Sequence, residues 1–144
     1  MATARDLPEN VIGVLADCGY TSPKDIIKKV ISVDMHLPAD LAYPFVQLGA
    51  RLFGHFNIDE LTPIDAVRNT KIPILLIHGD ADDFVPCEMS EKMAMDAVAL
   101  GVDLRFLKFE NAPHAMSYLE NTEEYGRAAR EFIQEVLERN KENV

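Results

Sequence analysis

The chain has 144 residues, 48% of them apolar, which is long enough for one domain with a hydrophobic core. Its formal charge of −10, with no basic cluster longer than Lys28-Lys29, excludes the basic surface that nucleic acid binding requires. Two cysteines, no apolar leader and no membrane-length apolar run exclude a disulfide framework and a membrane span, and favour a reducing, cytoplasmic compartment. A single domain over residues 1–144 is therefore predicted.

The first predicted strand is the apolar, β-branched run 11–16, which ends at the sequence 17–19, Asp-Cys-Gly. Ser22, Pro23 and Asp25 predict the start of a helix, because they supply a cap, a preset backbone angle and a carboxylate beside the amide dipole. A strand followed by a helix is the opening of an α/β unit.

Residues 23–70 are predicted to form a helical, cap-like excursion within the domain. Its helical pattern is interrupted by the residues Pro38, Pro44, Gly54 and Pro63. The aromatic residues between 43 and 56 are expected to pack as a cap that supplies the apolar wall of an acyl pocket. His36 and His55 lie in this region without metal-ligand spacing.

Two further strands follow. The run 73–79 is apolar throughout, a helix over 86–100 ends at Gly101, and 104–109 has the pattern of a third strand before a helix opened by Asn121 and Glu124. Apolar strands that alternate with helices predict an α/β fold with a three-stranded parallel sheet and flanking helices.

Ligands of open parallel sheets bind beyond the carboxyl ends of the strands, so the loops after the strands carry the candidate site. Asp82 lies in the loop 78–86 and His114 in the loop 111–118. A carboxylate that holds an imidazole in one tautomer is the arrangement that activates a nucleophilic hydroxyl. Asp82 and His114 are therefore the candidate acid and base.

The chain resembles the C-terminal half of an α/β-hydrolase of the serine esterase or acyl hydrolase type. The resemblance rests on the order Asp then His after late strands, the spacing Gly79-x-x-Asp82-x-x-Val85-Pro86, and the segment 16–22. It implies that Asp82 and His114 are the catalytic acid and base, that the substrate is a small carboxylic ester, and that no cofactor is needed. The first four residues resemble the tail of the helix that follows the nucleophile, which implies a truncated domain.

No nucleophile is expected within the chain. The four serines, Ser22, Ser32, Ser90 and Ser117, all lack the glycine that stands two residues before the serine of a G-x-S-x-G elbow. Amides of the oxyanion hole also come from the elbow and an earlier loop. The chain alone is therefore expected to be catalytically silent.

Alternatives remain open for the two key residues. Asp82 could instead be a loop carboxylate that stabilises a turn or caps the next helix, and His114 alone could be a hydrogen-bonded structural histidine. Asp80, Asp82 and Asp83 together suggest a cation site, but they lack EF-hand spacing and no metal is expected. The rival function is a non-catalytic oligomerising or binding module with a relic acid and histidine.

Neighbouring residues receive weaker assignments. Tyr20, Phe84, Met116 and Tyr118 are expected to line the substrate pocket. Asp17 is a turn residue or an alternative acid, and Cys18 is expected to pack rather than attack. His78 is expected to be a packed strand-end histidine, and Ser117 a helix cap.

The first strand is expected to leave an apolar edge open, because the resemblance places the strand of the elbow beside it. Such an edge predicts a homo-oligomer.

Overall fold

A parallel three-stranded sheet forms the centre of the computed structural model, which describes residues 10–60 and 62–142. The strands are β1 (Val14–Asp17), β2 (Ile74–Gly79) and β3 (Leu104–Phe109), in the order β1-β2-β3. Val14 lies opposite Ile74, which lies opposite Leu104, so all three strands end at the same edge. The three-stranded parallel sheet confirms the fold class predicted from the sequence, although β1 begins at Val14 rather than at residue 11.

Helices connect and cover the strands. Their bounds are α1 (Pro23–Lys29, extended by the π-helical turn Val30–Asp34), α2 (Ala39–Gly49, extended by the π-helical turn Ala50–Gly54), α3 (Pro63–Asn69), α4 (Cys87–Leu100), α5 (Ser117–Glu120) and α6 (Thr122–Glu142). Within the described ranges, no helix is long and apolar enough to cross a membrane. The segment from Pro23 to Asn69 is thus mainly helical, and its role as a cap stays a prediction.

The helix starts follow from local chemistry. Ser22 Oγ accepts a hydrogen bond from the Asp25 amide at 3.1 Å, and Pro23 occupies the first turn of α1, as predicted. Asn121 Oδ1 accepts from the Glu124 amide at 3.1 Å at the start of α6. The predicted cap at Ser117 was wrong, because α5 begins at that residue and its side chain is fully buried.

Both faces of β2 are buried, which explains its continuous apolar run. Successive side chains point to opposite faces, so Ile74 and Leu76 pack with Val67 and Met93 on the side of α3 and α4. The alternate residues pack in a second cluster with α6 and the loop after β3, made of Leu75, Ile77, Phe109, Ala112, Phe132 and Val136. This double burial fixes the position of the loop that follows β2.

Gly79 allows the loop after β3 to reach the end of β2. A Cβ atom at residue 79 would lie 2.1 Å from the Ala112 carbonyl oxygen, well inside van der Waals contact. Ala112 is itself fully buried, so the loop cannot move away without opening the core. Only glycine at this position leaves room for residues 111–116 to lie over the end of the sheet.

One edge of the sheet is open in the part of the chain that the structure describes. β1 pairs with β2, and the described residues place no strand on its other side. Leu15 of β1 is 39% exposed, and Ile133 and Leu137 of α6 extend the apolar surface beside it. An apolar strand edge of this kind pairs readily with another chain.

We predict that residues 1–144 self-associate through this edge. In size-exclusion chromatography with light scattering, the apparent mass should rise with protein concentration, and Leu15→Glu should shift the chain toward monomer by charging the edge. Val98→Glu is the matched control, because Val98 is an exposed apolar residue of α4 outside the β1 edge. A wild-type monomer at high concentration would contradict the prediction, as would equal effects of the two substitutions.

Candidate active site

The loops after β2 and β3 bring Asp82 and His114 together. His114 Nδ1 lies 2.8 Å from Asp82 Oδ2. An ionised carboxylate only accepts hydrogen bonds, so Nδ1 carries the proton and Nε2 is left able to take one from a reactant. The structure therefore brings together the two residues that the sequence predicted as acid and base, and their catalytic roles stay a prediction.

Asp82 is a buried carboxylate with four hydrogen bonds. Its Oδ1 accepts from the amides of Phe84 at 3.0 Å and Val85 at 2.8 Å, and its Oδ2 accepts from His114 and from His78 Nε2 at 3.1 Å. Burial acts to raise the pKa of Asp82, but the hydrogen bonds from His114 and the Val85 amide outweigh it and hold this pKa below its usual 3.8. The loop thus keeps Asp82 ionised.

The lowered pKa predicts how stability depends on pH. Because the pKa of Asp82 is lower in the folded chain than in the unfolded chain, its contribution is complete above pH 3.8 and is lost as pH falls below it. The melting temperature of Asp82→Asn should therefore lie below that of wild type at neutral pH, and the gap should narrow in acid. Thermal unfolding of both proteins at several pH values measures this. A gap that stays constant into strong acid would contradict it.

His78 is a second histidine on Asp82, and the sequence did not reveal this role. Its ring is fully buried at the end of β2. Nε2 donates to the Val85 carbonyl at 2.9 Å and to Asp82, while Nδ1 lies 2.6 Å from Ser90 Oγ. The packed position predicted from the sequence is observed. The contact with Asp82 could also have been inferred, because a buried imidazole needs partners for both nitrogens and a carboxylate stands four residues further along the chain.

Cys18 lies against the loop of His114. Its Sγ accepts a hydrogen bond from the Ala115 amide at 3.0 Å and lies 3.2 Å from Asp17 Oδ1. Both Cys18 and Ala115 have left-handed backbones, with φ of 54° and 57°, a conformation that non-glycine residues rarely adopt. Burial raises the pKa of the Cys18 thiol to about 12, so it is a protonated, packed thiol at neutral pH, as the sequence interpretation had it.

Asp17 does not orient His114. Its Oδ1 faces the Cys18 thiol, and its Oδ2 accepts a hydrogen bond from the Tyr125 hydroxyl at 3.2 Å. The imidazole of His114 is bound by Asp82 instead. Of the two assignments left open for Asp17, the structure therefore places it in a structural network at the end of β1.

An apolar cavity of about 700 Å³ opens beside His114. Tyr20 and Phe84 line it, and the Phe84 ring packs edge-on against the imidazole with centroids 5.1 Å apart. Much of the remaining wall comes from α1 and the helical turns around it, with Ile26, Ile27, Val30, Ile31, Met35 and Val46. The size and lining are those of a site for a small organic molecule.

The other two predicted pocket residues lie elsewhere. Met116 and Tyr118 are exposed and are not part of the wall of this cavity. The Tyr118 ring packs edge-on against Tyr125, with centroids 5.6 Å apart, because the chain turns into α5 directly after Met116. Of the four residues expected to line the pocket, the structure thus brings Tyr20 and Phe84 to His114.

The acidic residues of the loop after β2 do not converge on a cation. Asp80 Oδ1 accepts a hydrogen bond from the Asn111 amide at 2.6 Å. Among the described residues, the group of possible metal ligands that comes together is Cys18, Asp82 and His114, which excludes Asp80 and Asp83. The alternative of a site formed by the three aspartates therefore lacks structural support.

None of the serines of residues 10–60 and 62–142 is hydrogen-bonded to His114. Ser22 caps α1, and Ser32 Oγ donates to the Lys29 carbonyl. Ser90 is held between His78 and the Gly19 carbonyl, and Ser117 is fully buried in α5. The described site therefore brings Asp82 and His114 together, but no serine of the described residues is hydrogen-bonded to His114.

Comparison with known proteins decides the family. Residues 50–140 match the prolyl oligopeptidase family. The chain belongs to this family. Its relatives include the uncharacterized protein YqkD of Bacillus subtilis, 25% identical over 119 residues that make up 83% of this chain and 38% of that protein. The uncharacterized peptidase YuxL of the same organism is 27% identical over 88 residues, or 59% of this chain and 13% of that protein.

Solved structures show the same fold. An esterase of Pyrococcus furiosus superimposes with a TM-score of 0.63 at 20% identity, covering 92% of this chain and 47% of that protein. An acylaminoacyl peptidase of Pyrococcus horikoshii gives a TM-score of 0.55 at 20% identity, covering 81% of this chain and 18% of that protein. The α/β-hydrolase fold predicted from the sequence is confirmed. The chain spans less than half the length of each of these relatives.

Proposed function

We propose that this chain supplies the acid and the base of a serine hydrolase that cleaves small carboxylic esters. The observation that carries the proposal is the 2.8 Å hydrogen bond from His114 Nδ1 to Asp82 Oδ2 at the mouth of an apolar cavity. Membership of a family of hydrolases supports it. The esterase and peptidases among the relatives of the same fold supply the reaction class.

Each residue has a defined role in this chemistry. His114 Nε2 takes the proton of a serine hydroxyl as the oxygen attacks the ester carbonyl, and then returns that proton to the departing alcohol. Asp82 keeps Nδ1 protonated and stabilises the imidazolium, and its own position is held by His78 and two backbone amides. Water then attacks the acyl-serine with His114 again as the base. No cofactor takes part in these steps.

The cavity indicates the kind of substrate. Its wall is mostly apolar and includes Ile26, Ile27, Val30 and Ile31 together with Phe84. An apolar wall binds the acyl chain of an ester. The one carboxylate in the lining, Asp17, is hydrogen-bonded to Cys18 and Tyr125. We therefore propose esters with short, apolar acyl groups as the substrates.

The nucleophile is proposed to be a serine outside residues 1–144, since none of the four serines has the elbow sequence or contacts His114. A fluorophosphonate probe applied to a longer protein that includes these residues, followed by peptide mapping, tests this. The adduct should fall on a serine of a G-x-S-x-G sequence. An adduct on Ser22, Ser32, Ser90 or Ser117 would refute the proposal, and no adduct at all would favour the non-catalytic binding module.

A further inference from the structure

We propose that Cys18, Asp82 and His114 form a binding site for a thiophilic divalent cation, with Zn²⁺ as the preferred physiological metal. One thiol sulfur, one carboxylate oxygen and one imidazole nitrogen lie within 4.8 Å of one another. These three ligand types are the ones that zinc takes in proteins. The sequence predicted no metal here, because the three residues are 32 or more positions apart and share no ligand spacing.

The fold brings the three ligand atoms near one another. Bond lengths of about 2.0 Å to nitrogen or oxygen and about 2.3 Å to sulfur place tetrahedral ligands roughly 3.2–3.6 Å apart. Ligand atoms that lie within 4.8 Å of one another therefore need to approach by about 1.2–1.6 Å at most. The three residues follow neighbouring strands of one sheet, and the His114 side chain is 38% exposed, so its rotation can supply such a movement.

Groups around the ligands suit a metal site. His78 Nε2 and the amides of Phe84 and Val85 bond the Asp82 carboxylate and would keep it oriented when one oxygen turns to the metal. Cys18 and His114 both line the cavity, so water in the cavity would be able to reach a cation that these residues hold. Three protein ligands with one open position form the arrangement of an accessible zinc site rather than a closed structural one.

Binding requires the thiol to lose its proton. The Cys18 S–H bond breaks, the sulfur electron pair forms the bond to Zn²⁺, and one proton is released to solvent, so affinity should rise with pH. The cation also takes the imidazole that the proposed hydrolysis needs, so metal binding and ester cleavage exclude each other at His114. The site itself follows from the cluster geometry and does not rest on the proposed esterase activity.

The test uses residues 1–144 and Cd²⁺, which reports thiolate ligation through an ultraviolet charge-transfer band. We expect one cation per chain with this band, displacement of Cd²⁺ by Zn²⁺, and proton release on binding. Cys18→Ser should abolish the band, while Cys87→Ser, the buried cysteine at the start of α4, should retain it. His114→Ala should weaken Zn²⁺ binding at least about tenfold in calorimetry.

The same variants give the results that would overturn the metal-site proposal. A wild-type chain without the band, or a band that survives Cys18→Ser, would overturn the proposal. Equal losses in Cys18→Ser and Cys87→Ser would do the same, because they would show general thiol binding. His114 is 38% exposed at its side chain, so His114→Ala should fold and provides a second readout if Cys18→Ser does not. None of these readouts depends on ester hydrolysis, so failure here and failure of the hydrolase proposal are separable.

Discussion

Replacement of His114 by alanine in the complete hydrolase that we propose is expected to lower kcat/KM for p-nitrophenyl acetate by about 10⁴-fold or more. The serine then has no base, and the alcohol that leaves has no acid. Asp82→Asn should cost a similar factor of about 10⁴, because an amide holds the imidazole in the wrong tautomer. Steady-state kinetics at saturating and limiting substrate would separate the loss in kcat from any change in KM.

Asp83→Asn is the matched control for the carboxylate. Asp83 lies next to Asp82 in the same loop, but it is exposed and its side chain is not part of the bond to His114. The same chemical change there should leave kcat/KM within about threefold of wild type, because surface substitutions away from a site have small effects. Comparable losses in Asp82→Asn and Asp83→Asn would contradict the assignment of the acid.

Gly79→Ala is expected to destabilise the fold by about 1–3 kcal/mol or to prevent folding, because overpacked cores carry costs of this size. The new methyl group would lie 2.1 Å from the Ala112 carbonyl oxygen, which is backbone in a buried loop and cannot rotate away. Relief would require movement of the loop that carries His114. Urea unfolding followed by circular dichroism measures the change in the free energy of unfolding.

Gly49→Ala provides the opposite expectation for the same substitution. Gly49 has a helical backbone, with φ −58° and ψ −46°, and an added Cβ would meet nothing within 4 Å. Alanine should therefore be neutral or stabilise by about 0.5–1 kcal/mol through its higher helix propensity. If Gly79→Ala were as stable as Gly49→Ala, the close approach of the loop after β3 to the end of β2 would be wrong.

The sheet was predictable because a buried strand leaves a recognisable apolar run in the sequence. A strand covered on both faces by helices must be apolar at every position, and 74–79 has this pattern in the sequence and is fully buried in the structure. The strand β1 was predicted to begin three residues early, at residue 11. Residues 11–13 are as apolar as β1, but the ladder to β2 starts where Val14 pairs with Ile74.

The acid and the base were also predictable in position. Asp82 and His114 each follow a strand, and parallel strands place their carboxyl ends together, so a separation of 32 residues in sequence becomes 2.8 Å in space. The motif spacing added the expected role of each residue. The structure shows that the two residues lie together. Their catalytic roles are tested by the kinetics of His114→Ala and Asp82→Asn.

The surroundings of that pair were not predictable from local pattern. Cys18 Sγ accepts a hydrogen bond from the Ala115 amide, and both residues adopt a left-handed backbone, which apolar periodicity does not encode. The contact of His78 with Asp82 depends on the loop folding back over the strand end. Met116 was expected at the pocket because it is near His114 in sequence, but the turn into α5 leaves it exposed outside that wall.

The most direct test is the turnover of p-nitrophenyl acetate by residues 1–144 alone, measured beside His114→Ala. A carboxylate and an imidazole without an activated hydroxyl should give no repeated turnover above the buffer rate, and the two proteins should be indistinguishable. A single acetyl transfer to a side chain, visible as one mass increment, would not count as turnover. Sustained hydrolysis by the wild-type chain that disappears in His114→Ala would contradict the account.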